Sequence, residues 1–371
     1  MQKPNIYVHS RFAPMEFSNG GDKRTAQIHE LLSKSNIAFQ KAELERYMPR
    51  SKSLALYLKG ITYGKKISFS RRYHHIGRYL KTFSSFISIH KPSLFIWQSV
   101  SEQYLLLARK LWDQNVPLIA LPHNIESLVK GNRSFFSHLV APKWFSEEIG
   151  YLKYANVVFT ISREEQWLLS LYGVKADYLP YYPVESVQQF LMNIRAKRKG
   201  KHHGSKIKKV LLLGTFYNPP TITGYIELLK QLIEIKDIEI NIAGYGSEKM
   251  AKLSDKNVKI WGTISNETLS DILIDINVAI IHQEPTTGAL TRIPELLIAG
   301  VPVIANSSAA RNYYDLDGVY TYYNFNELFS LIATTTITLP PIPQRPADAE
   351  KRFIDTVRTL TWNGDCLQKD H

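Results

Sequence analysis

Arg292 and Glu295 stand three residues apart in the run Thr286-Thr287-Gly288-Ala289-Leu290-Thr291-Arg292-Ile293-Pro294-Glu295. A helix through them puts a guanidinium and a carboxylate on one turn. Proline lacks an N–H and clashes with the preceding turn, so Pro294 belongs in a first helical turn and sets the helix start near Thr291, a residue able to N-cap. A helix opening after Gly288 leaves backbone N–H groups free at the positive end of its dipole. Arg292 adds a full charge there, and the expected ligand is an anion such as a diphosphate. Glu295, an acceptor-only side chain, suits the paired hydroxyls of a ribose.

The helix runs on to Gly300 and into the apolar stretch Val301-Pro302-Val303-Ile304-Ala305. Here the chain resembles the retaining, nucleotide-sugar-dependent glycosyltransferases of family 4, which have the GT-B fold. Their donor site closes on a glutamate followed five residues later by Gly and then X-Pro-Val-Ile-Ala, as in Glu295, Gly300, Pro302, Val303, Ile304 and Ala305. The family's usual motif has another glutamate eight residues upstream of the first. This chain has Thr287 there, with Glu284 close by but out of register. The resemblance implies a donor loop of Thr287, Gly288, Ala289, Leu290 and Thr291 leading to Arg292 and Glu295. It implies no cofactor, because the nucleotide-diphosphate sugar is itself the substrate.

Elements that position such a loop can be read from apolar runs bounded by polar or turn residues. Ile6-Tyr7-Val8, Leu94-Phe95-Ile96-Trp97, Pro117 to Leu121 and Val157 to Ile161 alternate with helical stretches such as Lys23 to Ser35 and Glu102 to Gln114. The same grammar restarts at Lys209 to Phe216 and continues through Ile238 to Ala243, Val258 to Gly262 and Val278 to His282. That alternation predicts buried parallel strands with crossover helices, hence an α/β protein of two similar domains. With the resemblance, the expectation is GT-B: two Rossmann-like α/β domains facing across a cleft. Residues 1–182 form an acceptor-binding domain, 183–206 a basic linker and 207–351 a nucleotide-sugar-binding domain, with a helix over 352–371 crossing back to the first domain.

Open parallel sheets bind ligands beyond the carboxyl ends of their strands, where several polar or glycine-rich turns fall. Gly20-Gly21 follows the first strand and lets the backbone approach a ligand. Pro122-His123-Asn124-Ile125-Glu126 and Ser162-Arg163-Glu164-Glu165 follow two later strands and match a His-Asn-X-Glu and a Thr-X-Ser-acidic pattern of the family. The resemblance therefore places His123 near the transferred sugar, with Arg292 and Glu295 as its catalytic companions. In the second half Gly214-Thr215 and Gly244-Tyr245-Gly246 stand at the corresponding turns. Many family members have a basic residue in the first of these loops, but Gly214 to Gly224 contains none, leaving Arg292 as the main diphosphate cation.

At 371 residues and 44% hydrophobic content the chain can fill two cores. Its one cysteine, Cys366, excludes an internal disulfide framework and suits a reducing, cytoplasmic setting. No apolar run is long enough to span a bilayer and none reads as a signal-peptide core. The formal charge of +13 fits anionic small molecules, an anionic membrane surface or nucleic acid. No nucleic-acid motif accompanies it, so nucleic acid is set aside. The stretch from Lys65 to Lys81 interleaves Lys65, Lys66, Arg71, Arg72, Arg78 and Lys81 with Phe69, Tyr73 and Tyr79. A helix from Ile67 to Ile87 would have an interfacial pattern, giving a peripheral contact with the inner face of the plasma membrane. The basic run Arg195 to Lys201 reads instead as a solvated linker.

The function expected from these features is metal-independent, retaining transfer of a sugar to a glycan or lipid-linked acceptor, in bacterial surface polysaccharide synthesis. A non-catalytic sugar-nucleotide or glycan-binding homologue is the alternative raised by Thr287. A GT-B sugar-nucleotide epimerase is the second alternative.

Overall fold

The computed structural model describes residues 5–50, 53–61, 70–200, 207–253, 255–334 and 338–362. Strands β1 (Ile6–His9), β2 (Gln40–Lys41), β3 (Leu94–Trp97), β4 (Leu118–Ala120), β5 (Val157–Thr160) and β6 (Ala176–Tyr178) form one parallel sheet in the order β2-β1-β3-β4-β5-β6. Strands β7 (Lys208–Leu213), β8 (Ile238–Ala243), β9 (Val258–Gly262), β10 (Val278–Ile281), β11 (Val303–Asn306) and β12 (Val319–Tyr322) form a second, in the order β12-β11-β10-β7-β8-β9. Every residue of β1, β3, β4, β5 and β10 is buried, as a sheet covered by helices on both faces requires.

Each sheet reverses its strand order once, between β1 and β3 in the first and between β7 and β10 in the second. Loops leaving adjacent strands in opposite directions open a crevice at such a point, and ligands bind there. The loop after β10 contains Arg292. The loop after β7 begins at Gly214.

Helix Ala347–Trp362 returns to the first domain as expected. Its Ala349, Phe353, Ile354, Val357 and Leu360 are buried with Ile6, Val8, Ile96 and Phe159 from the first sheet. Phe353 meets the Phe159 ring edge-on at 5.3 Å. Residues 363–371 of the expected terminal helix lie outside the described residues.

The expectation of a solvated basic linker over 183–206 is corrected. Glu185–Lys199 is a helix whose Val187, Leu191, Ile194 and Arg198 are buried at helical spacing, so the arginine continues an apolar face instead of breaking it. Arg198 donates through Nε to Gly300 O at 2.9 Å and through Nη1 to Ile276 O at 2.9 Å and to Leu273 O. Arg195 donates to Leu297 O at 3.0 Å and to Pro340 O. The carbonyls of Leu273 and Leu297 belong to the last turns of helices Asn266–Asp275 and Arg292–Ile298, which have no acceptor-satisfying N–H within their own helix. Two of the run's cations, Arg195 and Arg198, thus cap those ends, while Lys197 and Lys199 are exposed; its remainder, 201–206, lies outside the described residues.

The interfacial helix expected from Ile67 to Ile87 is a helix over Ser70–His90. Its Ile76, Leu80, Phe83, Phe86 and Ile87 belong to the first domain's core, and Tyr73 and Tyr79 pack against it. Those aromatics face the protein, and Arg78 donates through Nε to Pro49 O at 3.1 Å, while Lys81 is exposed; Lys65, Lys66 and Phe69, and the side chains of Arg71 and Arg72, lie outside the described residues. Among the described residues no helix is long and apolar enough to cross a membrane.

Phe353→Ala should destabilise the protein by about 3–5 kcal/mol, because it removes a fully buried ring from the helix that crosses back. Tyr323→Ala, at a side chain 77% exposed, should change stability by less than about 0.5 kcal/mol. Urea midpoints at unchanged slope measure both.

Candidate functional site

Helix Arg292–Ile298 starts where the sequence indicates, with Pro294 in its first turn. Thr291 does not cap it: the backbone there is already helical (φ −58°, ψ −25°) and its side chain makes no capping hydrogen bond. The Arg292 guanidinium reaches back to the β7 loop, so that a Cβ on Gly214 would lie 3.4 Å from Arg292 Nη1. Its Nε and Nη2 are shut from solvent and have no hydrogen-bond partner. Leaving charged donors unpaired costs free energy unless an anion supplies acceptors, so this guanidinium has unused donor capacity at the β7/β10 crevice.

Gly214 and Gly244 are brought together beside it. Gly244 has φ +121°, and a Cβ on it would fall 2.0 Å from Gly214 O, so only glycine lets the two loops pack. Thr215 is half-buried on the same loop, its carbonyl accepting the Asn218 N–H at 3.2 Å. Gly246 lies under the Tyr217 ring. Tyr217 and Tyr245, 51% and 59% exposed, hold their rings 4.7 Å apart at these strand ends, with Lys249 Nζ 3.3 Å above Tyr217.

Glu295 is buried, and both its oxygens are engaged by groups from the first domain. Lys23 Nζ lies 2.5 Å from Oε2, and the Tyr181 hydroxyl donates to Oε1 at 2.6 Å. Burial and the adjacent carboxylate raise the Tyr181 pKa well above that of a free phenol, so it remains a donor. Lys23 sits in the first turn of helix Gly20–Lys34, two residues after Gly21.

Gly20 faces the second domain, where a Cβ would stand 3.4 Å from Thr291 Oγ1. The neighbouring N–H is not free for a phosphate: Asn19 Oδ1 accepts from Gly21 N at 2.9 Å and from Asp22 N at 3.1 Å. This cap also starts the helix at Gly20, ahead of Lys23. Phe12 covers Gly21.

Gly288 is likewise not the free N–H donor expected. Its N–H donates to Glu165 Oε1 at 2.9 Å, and its carbonyl accepts from Asn312 Nδ2 at 3.2 Å and from Arg311. Thr287 Oγ1 donates to Ile125 O at 3.2 Å, so the residue standing in for the family glutamate ties the donor loop to the His123 loop. Ala289 and Leu290 pack against the second domain's core. Glu165 also accepts the Ile125 N–H at 3.1 Å, and Glu148 accepts those of Glu126 and Ser127 at 3.0 and 2.8 Å. Burial raises both carboxyls, Glu148 to about 7.

His123 lies within this junction. Phe12 meets its ring at 4.7 Å, its carbonyl abuts Gly288, and its Nε2 is buried without a partner. Burial, reinforced by the Arg24 charge, lowers its pKa to about 3, so the imidazole is neutral at ordinary pH. The structure thus gathers His123, Gly20, Gly21 and the loop 287–295 at one junction, and Gly214, Thr215, Gly244 and Gly246 around Arg292. Sequence reading missed Lys23 and Tyr181, whose partner lies in the other domain, and Arg311 and Asn312, which follow the last apolar run. The placement of Lys23 two residues after the paired glycines is the one local signal available. Among the described residues no group of three or more His, Cys, Asp and Glu is placed to hold a metal ion.

The sequence matches no protein-family model and no curated protein. Solved structures do resemble it over nearly the whole chain. Sucrose-phosphate synthase from Thermosynechococcus elongatus has 14% identity and a TM-score of 0.60, covering 97% of each chain. Anabaena HepE, solved with UDP and glucose, has 12% identity and a TM-score of 0.61, covering 96% of this chain and 100% of its own. The UDP-GlcNAc 2-epimerase of Methanocaldococcus jannaschii has 14% identity and a TM-score of 0.52, covering 95% and 99%. The chain has the GT-B fold, with two six-stranded parallel sheets flanked by helices.

Gly288→Ala should cost about 1–3 kcal/mol, because φ is +79° and the added Cβ would fall 2.2 Å from Asn124 Oδ1. Gly150→Ala, on an open helical face, should stabilise by about 0.5–1 kcal/mol. Chemical denaturation of the two variants gives opposite signs on this account. For His123, the unfolded chain takes up a proton below about pH 6.5 that the folded chain refuses until about pH 3. Its contribution therefore lowers stability as pH falls through that window and is constant above it. His123→Gln should lose less melting temperature than the native protein between pH 7 and 4.

Proposed function

We propose that the protein transfers a sugar, with retention, from a nucleotide-diphosphate donor held by the second domain to a hydroxyl of a glycan or lipid-linked acceptor held by the first. The observation that carries this reading is the Arg292 guanidinium, two of whose nitrogens are buried and unpaired beside Gly214 at the crevice of the second sheet. A departing diphosphate gains negative charge as the glycosidic bond breaks, and a fixed cation in a dry site stabilises that charge more than water does. Glu295 is one turn further along the same helix and would accept the ribose hydroxyls. The exposed Tyr217 and Tyr245 offer faces for the base. His123, neutral, approaches the sugar from the first domain.

The similar proteins favour the same class of chemistry: HepE was solved with UDP and glucose, and two others are synthases of sugar phosphates. The proposed reaction uses no metal, with Arg292 neutralising the leaving group. Asp271 and Asp275, on helix Asn266–Asp275, stand away from that group, and Asp275 pairs with Lys209 at 2.5 Å. A cytoplasmic protein with a charge of +13 would work at the inner face of the membrane, meeting anionic headgroups through the cations between Lys65 and Lys81. Surface polysaccharide synthesis is the setting proposed for such an acceptor.

Radiolabelled UDP-, GDP-, ADP- and dTDP-sugars offered with a membrane fraction test the reading. Transfer with retained anomeric configuration is expected, and it should persist in EDTA. Arg292→Ala should lower turnover by about 10² or more, without rescue by magnesium. Interconversion of the free donor sugar would identify an epimerase, and binding of every donor without turnover a non-catalytic homologue.

A further inference from the structure

We infer that Lys23, supplied by the first domain, is the second cation of the donor diphosphate and is held on Glu295 until the nucleotide arrives. This rests on the reading of Arg292 and Glu295 as donor contacts. The ion pair spans the two domains at 2.5 Å, with side chains only 16% and 11% exposed. It lies one helical turn from Arg292 and beside the Gly20–Thr291 contact.

The present arrangement cannot persist unchanged when a ribose reaches Glu295. Both carboxylate oxygens already accept from the first domain, one from Lys23 and one from Tyr181. Neutral hydroxyls that take over the Lys23 position supply no negative charge to replace what the ammonium loses. A cation left in so sheltered a place without a counter-charge is strongly disfavoured. The diphosphate of the same nucleotide is the anion delivered to that place. A lysine stem has enough rotatable bonds to swing Nζ from the carboxylate to a phosphate without moving its helix.

Charge balance points the same way. The diphosphate bridge of the donor carries two negative charges, and the departing nucleoside diphosphate carries more. The loop from Gly214 to Gly224 has no lysine or arginine, so that loop gives Arg292 no basic companion. Lys23 completes the pair from across the cleft. Donor binding then exchanges one ion pair, Lys23 with Glu295, for Lys23 with phosphate and Glu295 with ribose. It thereby makes closure of the two domains depend on the nucleotide.

Calorimetric titration of the full chain with UDP, GDP, ADP and dTDP, and with the nucleoside of the tightest binder, tests this without knowledge of the acceptor. Lys23→Met should weaken the nucleoside diphosphate about tenfold or more, as expected for loss of a charge-assisted contact, while leaving nucleoside affinity unchanged or stronger, because no ammonium is then stranded when the ribose reaches Glu295. Lys23→Arg should retain most of the diphosphate affinity, and Lys23→Gln, which keeps a hydrogen-bond donor for Glu295, should behave like Met. Melting curves verify that each variant is folded. Unchanged or improved diphosphate affinity in folded Lys23→Met or Lys23→Gln overturns the inference, since the lysine would then merely compete for Glu295. Equal loss for nucleoside and diphosphate overturns it in favour of a structural role. Failure of the native protein to bind any nucleoside diphosphate overturns the donor-site reading itself, and is seen before any variant is made.

Discussion

The carboxylate of Glu295 sits across the boundary between two domains with its charge balanced entirely from the other side. Lys23 and Tyr181 reach it from the first domain, while its own helix belongs to the second. A nearly buried ion pair of this kind contributes little net stability, because desolvation offsets most of the Coulomb gain, but it penalises strongly any arrangement that leaves one partner alone. Its physical effect is therefore to couple how the domains meet to what occupies Glu295. A nucleotide that engages Glu295 must also account for Lys23.

That coupling needs a rigid platform on each side. Behind the Arg292–Ile298 helix, Arg195 and Arg198 hold the carbonyls of Leu297 and Gly300, so the turn bearing Arg292 and Glu295 is fixed from its far end. Burial lowers the Arg198 pKa only to about 10, and it remains a cation able to saturate several carbonyls. Arg24 does the same work in the first domain, donating to Leu179 O at 2.7 Å and Pro180 O at 3.3 Å and so anchoring the segment that presents Tyr181. Glu165 and Glu148 pin the loop after β4 by accepting its backbone N–H groups, and Glu165 extends that hold to Gly288 in the other domain. Arg24, Arg195 and Arg198 are therefore turned inward to the protein's own carbonyls.

The two-domain parallel architecture was legible because buried strands such as Leu94 to Trp97 and Val278 to Ile281 are short, continuously apolar runs closed by polar residues. Short strands with half-exposed faces, Gln40–Lys41 and Ala176–Tyr178, carry no such signal and were not read. The place of Arg292 at the start of its helix was legible from its spacing to Pro294. The backbone N–H groups of Gly21 and Gly288, beside the turns expected to meet a ligand, are already taken by side chains. Their partners, Asn19 in one case and a glutamate 123 positions away in the other, are a matter of local cap geometry and of tertiary contact. Lys23 was invisible for the second reason: the carboxylate that gives it meaning is 272 residues distant. Arg195 and Arg198 were misread because charge density was weighed ahead of helical spacing, although Val187, Leu191 and Ile194 place Arg198 on the buried face.

A crystal structure of the protein bound to the nucleoside diphosphate it prefers tests the central claim most directly. The account predicts phosphate oxygens within hydrogen-bond distance of Arg292 Nε or Nη2 and of Lys23 Nζ, with Glu295 turned to the ribose hydroxyls and Tyr181 still donating to it. A nucleotide seated away from the β7/β10 crevice, or one bound there while Lys23 stays on Glu295, would contradict it.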